Sequence, residues 1–314
     1  MSTSSLTLPG ARRDPARDGV AMAVTSMLCV QLGLALSIGL FDRLGPEGAG
    51  WLRLVWAGVV VLALGRPWRL RMSRRALAAA AGLGVGIAGL SLLFMAAVAR
   101  LPLGTASAVE FLGPLSIAVL HGRGRQRFTW PLLAGAGVLL LTRPWTGEAD
   151  PVGLAFAAAA AVCWAAYIVL SQRVGDEVAG VRGLAVAMPV AAVVATLAVG
   201  PASLGRMTPG LWLVGLALAV LMPVVPFALE MLALQRLTTA AFGTLMSLEP
   251  AVALVVGATL LGQVPGPVAV LGMALVVAAG VGAERGGARP AALEPAPGAT
   301  LSEAADVPEV ARAC

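Results

Sequence analysis

Long apolar runs separated by short, arginine-containing gaps dominate this sequence. Most of the ten runs have the roughly 20 residues that a helix needs to cross a bilayer. Hydrophobic residues make up 59% of the 314 residues and charged residues only 12%, too few to cover soluble domains. The sequence therefore predicts an all-α membrane protein with ten transmembrane helices. The predicted spans are 20–40, 47–64, 76–99, 103–121, 129–142 (short as drawn, and expected to start earlier), 152–172, 181–199, 210–234, 239–261 and 267–283.

The arginines are unevenly distributed between alternate gaps, and the chain contains no lysine. With the N-terminus inside, sixteen arginines up to Arg289 lie in inner segments and four in outer loops, namely Arg43, Arg100, Arg143 and Arg206. The positive-inside rule then predicts a plasma-membrane protein with both termini in the cytoplasm. The net charge of +6 does not indicate nucleic-acid binding, because the arginines that produce this charge lie in short gaps between spans.

The two halves of the sequence resemble each other when the chain is shifted by about 136 residues. The matched pairs include Arg100 with Arg236, Pro114 with Pro250, Pro131 with Pro267 and, at a shift of 135, Ser73 with Thr208. Each half contains five spans, and an odd number forces the second half to be inverted in the membrane. The predicted parts are a cytoplasmic tail (1–18), two five-helix repeats (19–142 and 151–284) and a disordered cytoplasmic tail (285–314).

Polar residues inside the spans are the candidates for function. A charge at the bilayer centre is costly, so such residues are expected to face a bundle interior or a water-filled cavity. The candidates are Glu110, Glu230, Glu249, Arg53, Gln31 and Tyr167. Three carboxylates exceed the one embedded guanidinium, and a surplus carboxylate in a low dielectric can take up a proton. A buried Glu–Arg pair that only fixes packing is the structural alternative.

Prolines accompany these acidic residues. Pro114 follows Glu110 in the fourth span, and Pro250 follows Glu249 in the ninth. Pro223 and Pro226 precede Glu230, and they predict an interruption of the eighth span because proline removes a backbone donor. The interruption is consistent either with the wall of a cavity or with a simple packing bend.

Enzymatic chemistry finds little support in the residue inventory. With no lysine and a single histidine at a membrane edge, His121, the chain cannot supply Ser–Lys, Ser–His or H-E-x-x-H chemistry. A glutamate dyad and a non-transporting scaffold remain formal alternatives. The cysteines, Cys29, Cys163 and Cys314, form neither a disulfide framework nor a metal site, so no cofactor and no metal are expected.

Several strings around these residues resemble the EamA-type carriers of the drug/metabolite transporter superfamily, and most closely their threonine and homoserine exporters. The strings are Arg66–Arg71, Pro102–Gly104, Val109–Leu115, Cys163–Ile168, Leu229–Leu234 and Phe242–Ala251. The resemblance implies ten helices in two inverted halves and residence in the plasma membrane. One departure is Gln263, which follows Gly262 where the family usually has glutamate.

The resemblance also implies outward transport of a small amino acid such as homoserine or threonine, and the surplus of carboxylates favours coupling to protons. Glu110 and Glu249 are expected to meet the ammonium group and the exchangeable proton, and Arg53 or a helix N-terminus the carboxylate. Gln31 and Tyr167 are expected at the wall of the site, with Glu230 as a further acid. Export of another metabolite or of a lipophilic cation is the alternative, and the oligomeric state stays open.

Overall fold

The computed structural model describes residues 15–65, 68, 72–121, 126–146, 150–177, 184–234, 236–237, 242 and 245–287. Its helices are α1 (Pro15–Ile38), α2 (Phe41–Gly65), α3 (Arg74–Val98), α4 (Leu103–Glu110), α5 (Leu112–His121), α6 (Gln126–Thr142), α7 (Pro151–Glu177), α8 (Leu184–Leu204), α9 (Pro209–Ala219), α10 (Val225–Leu234), α11 (Glu249–Leu260) and α12 (Pro267–Gly287). No strand occurs in these residues. The predicted tails beyond residues 15–287, and most of 239–244 in the ninth span, lie outside them.

Five of the described helices, α1, α2, α3, α7 and α8, are long and apolar enough to cross a membrane. The remaining predicted spans correspond to shorter apolar segments of 10–17 residues. Large apolar side chains cover the outer surface, and Leu64, Leu132 and Leu197 are 76%, 74% and 78% exposed. Apolar surface of this extent is suited to lipid rather than water. The chain is therefore a multi-pass helical membrane protein. Helix α6 begins at Gln126, before residue 129, where the fifth span was predicted to start.

Matching side-chain caps start two helices that the internal repeat aligns. The Ser73 hydroxyl accepts a hydrogen bond from the Ala76 N–H at 3.1 Å, and the Thr208 hydroxyl accepts one from the Leu211 N–H at 3.3 Å. Such caps satisfy backbone donors that have no partner within the helix. Both halves thus begin their third apolar segment with the same local device.

Two of the apolar segments are interrupted near their middle. Helix α4 ends at Glu110 and α5 begins at Leu112, because Pro114 cannot donate a backbone hydrogen bond to the carbonyl one turn earlier. Between α9 and α10 the chain forms a π-helical turn, Val220–Val224, in which Met222 has non-helical dihedral angles (φ −155°, ψ 108°). The interruption predicted from Pro223 and Pro226 is therefore confirmed.

Contacts between the two halves of the chain hold the bundle together. Helix α3 of the first half packs extensively on α7, the first helix of the second half, and α1 packs on α10. The pairs α2–α8, α4–α11 and α6–α12 also join one half to the other. Glycines permit the closest approaches: the Cα of Gly113 in α5 lies against the backbone carbonyl of Ala161 in α7. This interlocking brings polar residues from both halves to one interior region.

Candidate substrate and proton site

Glu110 and Glu249 lie at interruptions of their apolar segments. Glu110 is the last residue of α4 and Glu249 the first of α11, after turn residues Ser247 and Leu248. The sequence predicted both acids in mid-span but did not predict helix ends there. Pro250 lies in the first turn of α11, where a backbone N–H would have no intrahelical acceptor. Its missing N–H is therefore tolerated there, which explains why the helix begins at this point. The two carboxyl groups lie close enough to interact electrostatically.

Gln31 of α1 contacts the second of these acids. Its Nε2 donates to Glu249 Oε1 at 3.4 Å, joining residues 218 positions apart in the chain. The Gln31 side chain is fully buried, and its Oε1 has no hydrogen-bond partner in the described structure. A buried acceptor without a partner is costly, so this oxygen is available to a donor brought by a ligand or by a protonated carboxyl.

Arg53 of α2 faces the same interior. It is 4% exposed, and its Nη2 donates to Ser91 Oγ of α3 at 2.6 Å. Its Nη1 approaches Met222 Sδ at 3.3 Å, at the break between α9 and α10. Arg53 also lies within electrostatic range of Glu110, although no ion pair joins them in the described residues. The guanidinium therefore keeps donors that no carboxylate of this region occupies.

Glu230 of α10 completes the acidic set. Its Oε1 accepts a hydrogen bond at 2.8 Å from Ser26 of α1, and the same hydroxyl lies 3.2 Å from the carbonyl oxygen of Pro226. Glu230 is within electrostatic range of Glu249 and also of the Tyr167 hydroxyl on α7. All six predicted residues thus belong to one connected interior region, which we call the acidic cluster: Gln31, Arg53, Glu110, Tyr167, Glu230 and Glu249.

Two contacts of the acidic cluster were not predicted from the sequence. Ser26 and Ser91 are ordinary small residues in apolar helices, yet they hold Glu230 and Arg53. The sequence signal for such contacts is a serine within an apolar helix, and this signal is weak. The hydroxyl of such a serine more often donates to a backbone carbonyl of its own helix, as Ser37 does to the Gly33 carbonyl. The described residues contain no group of three or more histidine, cysteine or acidic side chains arranged to hold a metal ion. The cluster can exchange protons and bind charged groups.

Comparison with known proteins identifies the family to which this chain belongs. The chain is 35% identical over 283 residues to the threonine/homoserine exporter RhtA of Escherichia coli K12, covering 88% of this chain and 94% of the relative. The RhtA protein of Salmonella typhimurium LT2 matches to the same extent. The EamA-like transporter family model matches residues 151–282. The chain belongs to the EamA-like transporter family. It is a transporter and not an enzyme, as the sequence predicted.

A solved structure supports the fold of this EamA-like transporter. A crystal structure of another protein, 20% identical, superposes with a TM-score of 0.58 and covers 87% of this chain and 99% of the other. At that identity the likeness concerns the fold alone. Gln263, the departure from the family resemblance noted in the sequence, contacts the start of α4. Its Oε1 accepts a hydrogen bond from the Leu103 N–H at 2.9 Å.

Proposed function

We propose that this protein is a secondary active exporter of small amino acids of the threonine and homoserine kind, coupled to protons. The observation that carries the proposal is the 35% identity, over 88% of the chain, to proteins named as threonine/homoserine exporters. The acidic cluster supplies chemistry that such transport requires. It contains both charge signs needed to hold a zwitterion and more carboxyl groups than guanidinium groups to exchange protons.

The proposal includes an architecture of ten spans in two inverted five-helix repeats, at 19–142 and 151–284. The packing of α3 on α7 and of α1 on α10 supports it, because each pair joins the first helix of one repeat to the third apolar segment of the other. The shared caps at Ser73 and Thr208 support it as well. In the proposed arrangement both termini lie in the cytoplasm of a plasma-membrane protein, and the arginine distribution supports this orientation.

In the proposed mechanism, substrate and proton compete for the same carboxyl groups. The ammonium group of the amino acid binds between Glu110 and Glu249 when these are ionised, and its carboxylate binds the unoccupied donors of Arg53. Protons entering from the outside neutralise the carboxyl groups and release the ammonium. A site that holds either substrate or proton couples the two opposite movements across the membrane.

The other members of the acidic cluster have supporting roles in this mechanism. Gln31 can hydrogen-bond Glu249 in either protonation state. Its amide donates to a carboxylate through Nε2 and accepts from a carboxylic acid through Oε1. Glu230, held by Ser26, is the next carboxyl for a proton moving toward the cytoplasmic side. The Tyr167 hydroxyl forms part of the wall near Glu230.

The deciding experiment measures efflux of threonine and homoserine from preloaded vesicles, with and without a pH gradient. Glu249→Gln and Glu110→Gln should insert normally and lose pH-driven efflux, because glutamine keeps the shape but cannot ionise. Glu47→Gln is the matched control, because Glu47 is an exposed acid near the start of α2. Wild-type rates with wild-type pH dependence in both cluster variants would refute the assigned roles, and no efflux by the unmodified protein would refute the substrate.

A second candidate is export of a lipophilic cation. The acidic cluster contains three carboxyl groups and one guanidinium, and this excess of acids favours a cation. A cation without a carboxylate needs no arginine for its binding. Protection of growing cells against toxic amino-acid analogues, compared with protection against cationic dyes, separates the two. Arg53→Ala should weaken amino-acid export and leave export of a cation unaffected.

A further inference from the structure

A separate cavity lies beyond the acidic cluster, where α4, α6, α11 and α12 begin or end. Its volume is about 540 Å³, a size suited to a small ligand with some water. Its polar lining includes Arg100, Thr105, Thr142, Arg143 and Gln263. In the proposed orientation this end of the bundle faces the outside. Two of the four arginines assigned to outer loops therefore line one cavity.

The two arginines differ in their surroundings. Arg100 pairs with Asp150 through Nη1 at 2.9 Å, and this hydrogen bond holds the pKa of the Asp150 carboxyl below its usual range. No carboxylate of the described residues lies within ion-pairing distance of Arg143. Arg143 also has a positive φ of 40°, which is uncommon for a residue other than glycine. The cavity thus keeps one cationic group that Asp150 does not neutralise.

The floor of the cavity connects it with the acidic cluster. Thr105 lies five residues before Glu110 on α4, and Leu254 lies five residues after Glu249 on α11, about 7.5 Å along each helix. Gly104 and Leu254 meet at this level, since a Cβ on Gly104 would stand 2.9 Å from the Leu254 Cα. The crossing of α4 and α11 therefore separates the cavity from the two glutamates. Gln263 fixes the outer end of α4 above that crossing.

We propose that this cavity is an exit subsite, in which Arg143 binds the carboxylate of the amino acid after the α4–α11 crossing opens and before the solute reaches the outside. The inference rests on the proposed function and orientation. A guanidinium and a carboxylate form charge-assisted, commonly bidentate hydrogen bonds, so a carboxylate is the ligand group that this cavity selects. An exit subsite of this kind also lets external amino acid occupy the cavity and slow further export.

The test probes the cavity from outside with a cysteine at Val264, which lines the cavity and is 83% exposed. A membrane-impermeant thiol reagent is added to intact cells carrying Val264→Cys, and the unsubstituted protein gives the background from its own cysteines, Cys29, Cys163 and Cys314. External L-threonine should slow the modification, and L-threoninamide, which lacks the carboxylate, should not. In the same background, Arg143→Asn should raise the half-protecting threonine concentration about tenfold, since asparagine tolerates the left-handed backbone but carries no charge.

Two further variants make the result specific. Arg206→Gln removes an exposed outer arginine that does not line the cavity, and it should leave protection within about twofold of the unmodified value. Asp150→Asn should lower the half-protecting concentration, because it releases Arg100. Asparagine retains the side-chain oxygen that accepts the Val152 and Gly153 N–H groups at the start of α7.

Three results would overturn the exit subsite: equal protection by threonine and threoninamide, equal behaviour of Arg143→Asn and Arg206→Gln, or modification only after the cells are permeabilised. Threonine efflux is measured separately from preloaded vesicles of the unsubstituted protein. Absent efflux there refutes the proposed function, whereas normal efflux without carboxylate-specific protection refutes only the exit subsite.

Discussion

Small hydroxyl side chains hold two ionisable groups of the acidic cluster, Glu230 and Arg53, in place. Ser26 donates to Glu230 at 2.8 Å, and Ser91 accepts from Arg53 at 2.6 Å. In a low dielectric, a hydrogen bond to a charged group is strong, and its loss leaves that group poorly satisfied. These serines therefore set the directions of charged groups that the proposed mechanism uses, although neither carries charge itself.

Ser26→Ala should lower threonine efflux by roughly tenfold, equivalent to about 1.4 kcal/mol, because Glu230 loses its hydroxyl donor. Ser37→Ala is the matched control on the same helix. Ser37 is equally buried, but among the described residues its hydroxyl bonds only the Gly33 carbonyl of its own helix at 2.6 Å, so the change should be nearly neutral. Initial efflux rates from vesicles matched for protein amount distinguish the two. Equal rates for both variants would remove Ser26 from the mechanism.

Close helix approach is the main structural device at the scale of elements. Lipid is as apolar as the helix surfaces, so membrane helices associate through tight packing at small residues rather than through the hydrophobic effect. Gly113 brings α5 against α7 just after the interruption at Glu110, whereas Gly135 of α6 has open space where a Cβ would stand. The first glycine is required by the packing, and the second is not.

Gly113→Ala should destabilise the protein by about 1–3 kcal/mol, because the added methyl group meets the Ala161 carbonyl and forces the helices apart. Gly135→Ala should be neutral or stabilising by up to about 1 kcal/mol, since alanine favours helix where no atom obstructs it. Thermal unfolding midpoints of the purified variants in one detergent give the comparison. A midpoint for Gly113→Ala at or above that of Gly135→Ala would contradict the assigned contact.

At the scale of the whole molecule, the proposed orientation of the bundle decides which side of the membrane the cavity faces. The cavity lined by Arg100 and Arg143 lies at the end of the bundle where α4 and α12 begin and where α6 and α11 end. The positive-inside rule predicts that this end faces the outside, because inner segments up to Arg289 carry sixteen arginines and outer loops four. The proposed direction of proton entry and solute release depends on this assignment.

Reporter fusions should place the loop after Gly147 outside and the C-terminal tail inside. An enzyme that is active only outside the cytoplasm should therefore give signal after Gly147 and none at the C-terminus. A fusion after Gly180, in the next predicted inner loop, should also be silent and serves as the control within the second repeat. A cytoplasmic result after Gly147 would contradict the ten-span arrangement.

The sequence by itself determined that this chain is a helical membrane protein with acids inside apolar spans. These properties are local: bilayer thickness sets the length of apolar runs, and each proline weakens the helix at its own position. The interruption between α9 and α10 was predicted in this way. The ten-span count and the inverted repeats stay predictions.

Only the tertiary structure decided which residues meet. Gln31 and Glu249 are 218 positions apart, Ser26 and Glu230 are 204, and Leu103 and Gln263 are 160. Such pairings depend on the rotation of each helix about its axis and on the depth at which two helices cross. Both are fixed by packing among all neighbours at once, and no single segment of the sequence contains that information.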